Sequence, residues 1–182
     1  MEKLRNRHVA AGIMVLMILL SLPLGAWRTG SRLYGAVEDL FYNGEAGNGI
    51  GVASDISQRA EAAVNMIIIA KRNMDPNDPC ITGLEAVVME VNMAKSLQAR
   101  HQADVEMGGC MAALYDALGE APLSEKDARY RESLYADFTS AAMTMSHDPY
   151  NAQAVEYNRA LSAFPGGLLM RLFGYEEAPV FR

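Results

Sequence analysis

The sequence contains few cysteines, few aromatic residues and no stretch of alternating β-branched residues. Two of its 182 residues are cysteines, and aromatic residues make up 8%. β-strands are typically marked by alternating apolar and polar residues, rich in valine, isoleucine, threonine and aromatic side chains. Without that pattern, and with many alanines, leucines and glutamates and 12 methionines, the sequence predicts an all-α protein.

The sequence also lacks the short motifs that mark common catalytic and nucleotide-binding sites. No GxSxG or HExxH segment and no Ser/His/Asp arrangement is present. The glycine-rich segment 47–51 is followed by Val52 and Ala53, whereas a phosphate-binding loop needs a lysine there to reach the phosphates. We expect this segment to be a flexible connection between helices. We also expect no enzymatic activity and no cofactor.

Histidines and carboxylates suggest two weaker hypotheses. His101 and Asp104 lie one helical turn apart, but two ligands do not close a zinc site, so we expect no metal ion. Glu61 and Glu85 would form a candidate acid and base pair if both faced inward, or would pair with Arg59 or Lys95 across the bundle. The alternative, which we prefer, is that these carboxylates lie on a solvated or salt-bridged face.

Positive charge is concentrated at the N-terminus. The formal net charge is −6, and Lys3, Arg5 and Arg7 precede a body that is more acidic than the whole chain. An acidic body repels the phosphate backbone of nucleic acids. We therefore expect no nucleic-acid partner.

Residues 9–26 contain no charged side chain and follow the basic segment 1–8. A cleaved signal peptide needs about 7–15 apolar residues and small residues before the cleavage site. This stretch is longer, and a cut after Ala26 would have Leu24 where a small residue is needed. A membrane span needs about 17–25 apolar residues. We expect an uncleaved single-pass anchor at 9–27 that contacts membrane lipid. The basic flank favours a cytoplasmic N-terminus and an extracytoplasmic body.

The spacing of apolar residues predicts long amphipathic helices that form an antiparallel bundle of the four-helix type. The expected helices cover 28–43, continuous with the anchor, then 55–72, 81–118 and 124–147, followed by a restart at Asp148-Pro149. Ser124 with Asp127 resembles a capping box at the start of the helix 124–147. The apolar residues expected to face inward are Ile56, Ala60, Ala63 and Ile67 on the helix 55–72 and Tyr130, Leu134, Phe138 and Met145 on the helix 124–147. The expected divisions are the basic flank 1–8, the anchor 9–27, the helical bundle domain 28–175 and the C-terminal tail 176–182.

Cys80 and Cys110 belong to the long helix predicted at 81–118 or to its edge. On one continuous helix they are about 45 Å apart, at about 1.5 Å per residue. A disulfide needs Cα atoms within about 7 Å. Unless the helix breaks at its polar middle, 98–106, we expect two unpaired buried thiols.

An aromatic stripe marks the last helix. Tyr150, Tyr157 and Phe164 are spaced seven residues apart, which places their rings on one face, with Ala154 and Leu161 between them. The stripe is expected to be the core seam of this helix, with tyrosine hydroxyls at its rim.

A partly buried polar row is expected beside the aromatic stripe, and its members are Asn65, Asn151 and Asn158. Asparagine is a poor residue for a helix interior, because its side chain competes for backbone hydrogen bonds. Interhelical hydrogen bonds that fix register are the preferred interpretation, and ligand binding is the alternative.

The C-terminal pattern YN-x5-YN-x5-FP, followed by Phe-Gly and a final aromatic residue, resembles the LemA family of bacterial membrane proteins. Residues 59–66 resemble an Arg-Ala-Asp-Leu-Ile-Pro-Asn-Leu-type segment of that family, with Val64 in place of the proline. The residues that match its motifs are Asn65, Tyr150, Asn151, Tyr157, Asn158, Phe164, Pro165, Phe173 and Gly174.

The resemblance implies an N-terminal membrane helix, an antiparallel helical bundle and no established catalytic activity. From it and from the residues, we expect a non-catalytic interaction or scaffold module of the bacterial cell envelope. Its partners would be other envelope proteins, or a second copy in a homo-oligomer. A small-ligand or metal-binding bundle is the alternative, and a hydrolase is the least favoured.

Overall fold

The computed structural model describes residues 7–182, apart from the side chains of residues 7, 8, 18 and 19. The basic flank predicted at 1–8 therefore lies almost wholly outside the described residues. The described chain contains seven helices and no strand, which confirms the all-α prediction. The helices are α1 (Arg7–Asn43), α2 (Val52–Asn73), α3 (Pro79–Met93), α4 (Leu97–Gly119), α5 (Glu125–His147), α6 (Pro149–Ser162) and α7 (Gly166–Leu172).

The chain forms two compact units, and each unit consists of two separate segments of the sequence. The first unit comprises Met1–Val37, of which 7–37 are described, and Gln153–Ala178. The second comprises Glu38–Ala152 and Pro179–Arg182. Helices α1 and α6 each contribute residues to both units.

Helix α1 continues without interruption from the apolar N-terminal segment into the body, as predicted. It is long and apolar enough to cross a membrane, and only 6% of its most apolar stretch is buried by protein. Its other end is different, because Val37 and Phe41 are fully buried. One helix thus has an exposed apolar part followed by a part packed in the core.

Helices α2 to α5 form the bundle of the second unit, with α2 packed against α3, α4 and α5. The predicted inward face of α2 is confirmed: Ile56, Ala60, Ala63 and Ile67 are all buried. The same apolar spacing on α3 buries Leu84, Val87, Val88 and Val91. These side chains form a continuous core around α2.

The single helix predicted at 81–118 is wrong, because the chain breaks at 94–96 into α3 and α4. Ala94 leaves the helical conformation at φ −64° and ψ 124°. The Ser96 hydroxyl then accepts a hydrogen bond from the Ala99 N–H at 3.1 Å and begins the next helix. The polar middle, 98–106, lies within α4 and is helical as predicted. The break allows α3 and α4 to pack together as a hairpin.

Helix α5 begins and packs largely as predicted. The Ser124 hydroxyl accepts from the Asp127 N–H at 3.1 Å, and Phe138 and Met145 are buried. The expectation that Tyr130 points inward is wrong, since 51% of it is exposed. Helix α6 restarts at Pro149 as predicted.

Candidate functional site

In the first unit, two side chains of α6 bind the backbone of the C-terminal tail. Asn158 donates from Nδ2 to the Ala178 carbonyl and accepts at Oδ1 from the Ala178 N–H, both at 2.8 Å. The Tyr157 hydroxyl donates to the Glu176 carbonyl at 2.8 Å. Because the amide of Asn158 presents one donor and one acceptor, it pairs with a tail residue much as a neighbouring strand would.

The second unit repeats this arrangement seven residues earlier. The Tyr150 hydroxyl donates to the Pro179 carbonyl at 2.9 Å. Asn151 accepts at Oδ1 from the Phe181 N–H at 2.8 Å and donates from Nδ2 to the Met145 carbonyl at 2.7 Å. We call Tyr150, Asn151, Tyr157 and Asn158 the tail clasp. Both asparagines of the clasp therefore bind the tail, and Asn151 also makes an interhelical hydrogen bond, from α6 to Met145 on α5, of the kind that the sequence predicts.

The rings of the clasp are fully buried, and so are the residues between them. Tyr150, Tyr157 and Ala154 have no exposed surface, and Leu161 is 1% exposed. Burial, followed by the charge of neighbouring Tyr34, raises the pKa of Tyr157 to about 12. The Tyr157 hydroxyl consequently remains a hydrogen-bond donor throughout the physiological pH range.

Phe164 does not belong to the buried stripe, so that prediction is wrong. Its side chain is 87% exposed, and α6 already ends at Ser162. The physical reason is Pro165, which lacks an N–H and disfavours helical conformation in the residue before it. The seven-residue spacing holds in the sequence but not along a continuous helix.

The last motif residues shape the turn after α7. Phe173 ends α7 and is 47% exposed. Gly174 has a φ of +85°, a conformation that favours glycine. The turn allows the Tyr175 N–H to donate to the Met170 carbonyl at 3.2 Å. Phe181, the final aromatic residue, is 5% exposed and packs in the second unit against Phe41.

Asn65 lies apart from the other asparagines, on the exposed face of α2. It lines two open grooves of about 390 and 330 Å³. The larger groove lies between α2 and α5, where Ile68 and Tyr130 contribute apolar surface. The expected buried row therefore does not include Asn65, although Asn151 and Asn158 are half-buried as predicted.

A buried ion pair lies inside the bundle. Arg59 on α2 donates to the Asp104 carboxylate on α4, and the two residues are 6% and 4% exposed. The guanidinium carbon lies 4.1 Å from the centre of the Phe138 ring. Burial lowers the pKa of Arg59 and raises that of Asp104, and the attraction between the partners opposes both shifts. Arg59 Nε has no hydrogen-bond partner among the described residues.

The sequence contains a signal for this pair. Arg59 lies three residues after Ile56 and four before Ala63, which places it on the buried face of α2. A charge at such a position needs a partner. The carboxylates that we considered for it do not supply one: Glu61 is exposed, and Glu85 pairs with Lys71 at the surface.

The proposed metal ligands are also engaged elsewhere. The His101 ring packs edge-on against Phe181 at 4.9 Å between ring centres, and Asp104 binds Arg59. Among residues 7–182, no three His, Cys, Asp or Glu side chains are grouped to hold a metal ion. The glycine-rich segment forms the turn between α1 and α2.

The two cysteines are not 45 Å apart, because the helix that would separate them is folded into a hairpin. Lys95 lies in the turn, and Cys80 and Cys110 are each fifteen residues from it. In an antiparallel pair, residues equidistant from the turn lie at the same level. Both thiols are free and half-buried. Burial, the Asp78 carboxylate and the Cys110 thiol together raise the pKa of Cys80.

Comparison with known proteins adds no relative. No protein-family model, no curated protein and no solved structure matches this chain. The likeness of the clasp residues to the LemA motifs therefore stays an expectation. The features of the chain that bear on its function are the exposed apolar helix, the bundle and its surface.

Proposed function

We propose that this chain is a membrane-anchored, non-catalytic helical-bundle protein of the bacterial cell envelope that acts by binding other envelope proteins. The observation that carries the proposal is the exposed apolar part of α1. In this part, Leu16, Leu20 and Leu24 are 56%, 58% and 64% exposed. A core helix would bury one apolar face, whereas this segment is apolar and exposed on several sides.

Water is a poor environment for this segment. Each large apolar side chain gains about 1.5–3 kcal/mol when it is moved out of water. The exposed large side chains of this segment are Val9, Ile13, Met14, Val15, Leu16, Met17, Leu20, Leu22, Leu24 and Trp27. A bilayer would cover all of them at once, and Trp27 would lie at the interface.

We further propose a relation to the LemA family, with the N-terminus in the cytoplasm and the body outside the cytoplasmic membrane. The support is the pair of Tyr-Asn motifs, in which both tyrosine hydroxyls donate to tail carbonyls and both asparagine Oδ1 atoms accept from tail N–H groups. The basic residues before the span support the orientation. Protease treatment of intact spheroplasts tests it, and protection of the body would contradict it.

The surface that we assign to a partner is the exposed face of α2. Val64 and Ile68 are 43% and 50% exposed, and Asn65 lies between them. Glu61 and Arg72 add one charge of each sign along the same face. Grooves flank this face, so a helix of a partner would find apolar and polar contacts together.

Photocrosslinking in intact cells tests the binding role. A photoreactive benzoylphenylalanine replaces Ile68 in the full chain, and the matched control replaces Val105, which is 60% exposed on α4. We expect discrete adducts from Ile68 and none from Val105. Mass spectrometry then separates an envelope protein from a second copy of the chain. Equal labelling at both positions, or none at either, would contradict the proposal.

A small-ligand site is the second candidate, and the groove between α2 and α5 favours it. Its volume of about 390 Å³ lies within the usual range for small-molecule sites. A bound ligand must raise the unfolding midpoint by mass action. A thermal-shift screen of the purified chain in detergent with metabolites and metal ions tests this, and an unchanged midpoint throughout would reject it.

A further inference from the structure

The C-terminal part of the first unit exposes four large apolar side chains within ten residues of sequence. Phe164, Leu168, Leu172 and Phe173 are 87%, 56%, 75% and 47% exposed. Leu168 and Leu172 are one turn apart, so they share one face of α7, and Phe164 precedes the first of them by another four residues. The opposite face is buried, at Gly167 and Met170. Helix α7 therefore has a second apolar face that the described chain does not cover.

This face lies beside the end of the apolar segment of α1, within the same unit. The Tyr175 hydroxyl donates to the Trp27 carbonyl at 3.4 Å. The Tyr175 ring packs so closely on Gly30 that an added Cβ there would lie 2.6 Å from it. Ala26, one turn before Gly30, is only 7% exposed. Because Phe173 and Gly174 join α7 directly to Tyr175, α7 lies near the level at which the span would leave the membrane.

The charges around α7 suit a lipid surface. Arg171 is the only charged residue between 164 and 175, and its guanidinium binds Glu177 at 2.9 Å while its side chain stays half-exposed. Arg28 follows Trp27 on α1. Arginines at the edge of an apolar face commonly extend their charged ends towards lipid headgroups.

We propose that α7, together with Phe164 and Phe173, forms a second membrane contact that lies in the interfacial layer of the leaflet from which α1 emerges. This inference rests on the proposed anchor at 9–27. A lipid surface fits better than a second copy of the chain, because four side chains are few beside the roughly 20–30 residues that each partner contributes to a standard protein interface. The first unit would then rest on the membrane at two points.

Tryptophan fluorescence distinguishes the two contacts, because Trp27 is the only tryptophan in the chain. The full chain is reconstituted into vesicles of phosphatidylethanolamine and phosphatidylglycerol, with or without brominated acyl chains that quench nearby indoles. The wild-type chain reports on the anchor. In a Trp27→Phe background, Phe164→Trp and Leu172→Trp report separately on α7. Val155→Trp is the control, since Val155 lies on α6 of the same unit and is 42% exposed.

We expect Phe164→Trp and Leu172→Trp to show blue-shifted emission and a loss of intensity as large as that of Trp27. The control should show neither. If Trp27 is quenched and both α7 positions are not, the second contact is overturned and the anchor stands. If Trp27 itself is not quenched, the anchor is overturned, and the second contact with it. Because both reporter positions are exposed, circular dichroism should show unchanged helicity, and failure of either folded reporter to be quenched while Trp27 is quenched also overturns the second contact.

Discussion

The tail clasp and the Arg59–Asp104 pair bury polar groups in two different ways. The clasp uses neutral hydroxyls and amides whose partners are backbone groups, in the tail and, for Asn151 Nδ2, on α5. The pair uses two charges, and Arg59 Nε has no partner among the described residues. Neutral hydrogen bonds contribute about 0.5–1.5 kcal/mol each, whereas breaking one side of a buried ion pair costs about 3–5 kcal/mol. The two regions should therefore respond differently to substitution and to pH.

The largest effect is expected from removing one charge of the pair. Asp104→Ala leaves the Arg59 guanidinium buried without its counter-charge, and we expect the free energy of unfolding to fall by about 3–5 kcal/mol. Urea titration followed by circular dichroism measures the loss. The double variant Arg59→Met/Asp104→Leu should recover most of it, because apolar side chains pack without a desolvation cost. A loss below about 1 kcal/mol for Asp104→Ala would mean that the pair is solvated.

A disulfide between α3 and α4 should stabilise the bundle that contains the Arg59–Asp104 pair and leave the hydrogen bonds of the clasp unchanged. The added thiol oxidant diamide takes two electrons and two protons from Cys80 and Cys110 and leaves an intramolecular disulfide. Closing a loop of this length should add about 3–4 kcal/mol. The Cys80→Ser variant is the control. Hydrogen exchange at the Ala178 N–H should not change. Disulfide-linked dimers without the internal bond would contradict the register of α3 and α4.

Asn158→Ala should open one half of the clasp. It removes both hydrogen bonds to Ala178, which should cost about 1–3 kcal/mol. Hydrogen exchange should become faster at the Ala178 N–H and stay slow at the Phe181 N–H, which binds Asn151. Asn158→Asp is a second variant for comparison, because it keeps the acceptor for the Ala178 N–H while the carboxylate oxygen that replaces Nδ2 cannot donate and repels the Ala178 carbonyl. Faster exchange at both amides would show that the two halves open together.

The sequence predicts the features of this fold that depend on near neighbours. Ser124 and Asp127 mark the start of α5, and the apolar spacing of Ile56, Ala60 and Ala63 marks the buried face of α2. The rings of Tyr150 and Tyr157 are buried as predicted. In each case the sequence pattern that predicts the feature lies within about two turns of helix.

The features that the sequence does not predict depend on partners far away in the chain or, at Ser96, on competition between a continuous helix and the start of a new one. Arg59 and Asp104 are 45 residues apart, and Asn158 finds its partner 20 residues away in a tail without regular structure. Nothing in local spacing indicates either pairing. The break before α4 depends on the Ser96 hydroxyl capping a new helix, which a weakly periodic segment does not reveal.

The smallest expected effect concerns Asp55, an ionisable group in the first turn of α2, in contrast to the neutral groups of the clasp. Burial and then the charge of Asp148 raise the pKa of Asp55. A raised pKa in the folded state means that ionised Asp55 opposes folding. Its contribution to stability is therefore full below the unfolded-state pKa of about 3.9 and is lost as pH rises through the folded-state value.

Asp148→Asn separates the two causes. Asparagine keeps the side-chain oxygen that accepts from the Tyr150 N–H at 2.8 Å and removes only the charge. We expect the pKa of Asp55, followed by carboxyl NMR during a pH titration, to move down towards its ordinary value while remaining above it, because burial is the larger cause. Asp148→Glu keeps the charge and should leave most of the shift. An unchanged pKa in Asp148→Asn would assign the whole shift to burial. In that case desolvation alone would raise the pKa of Asp55, as it largely does for Tyr157 in the clasp. Interaction between charges would then distinguish the two regions only at the Arg59–Asp104 pair.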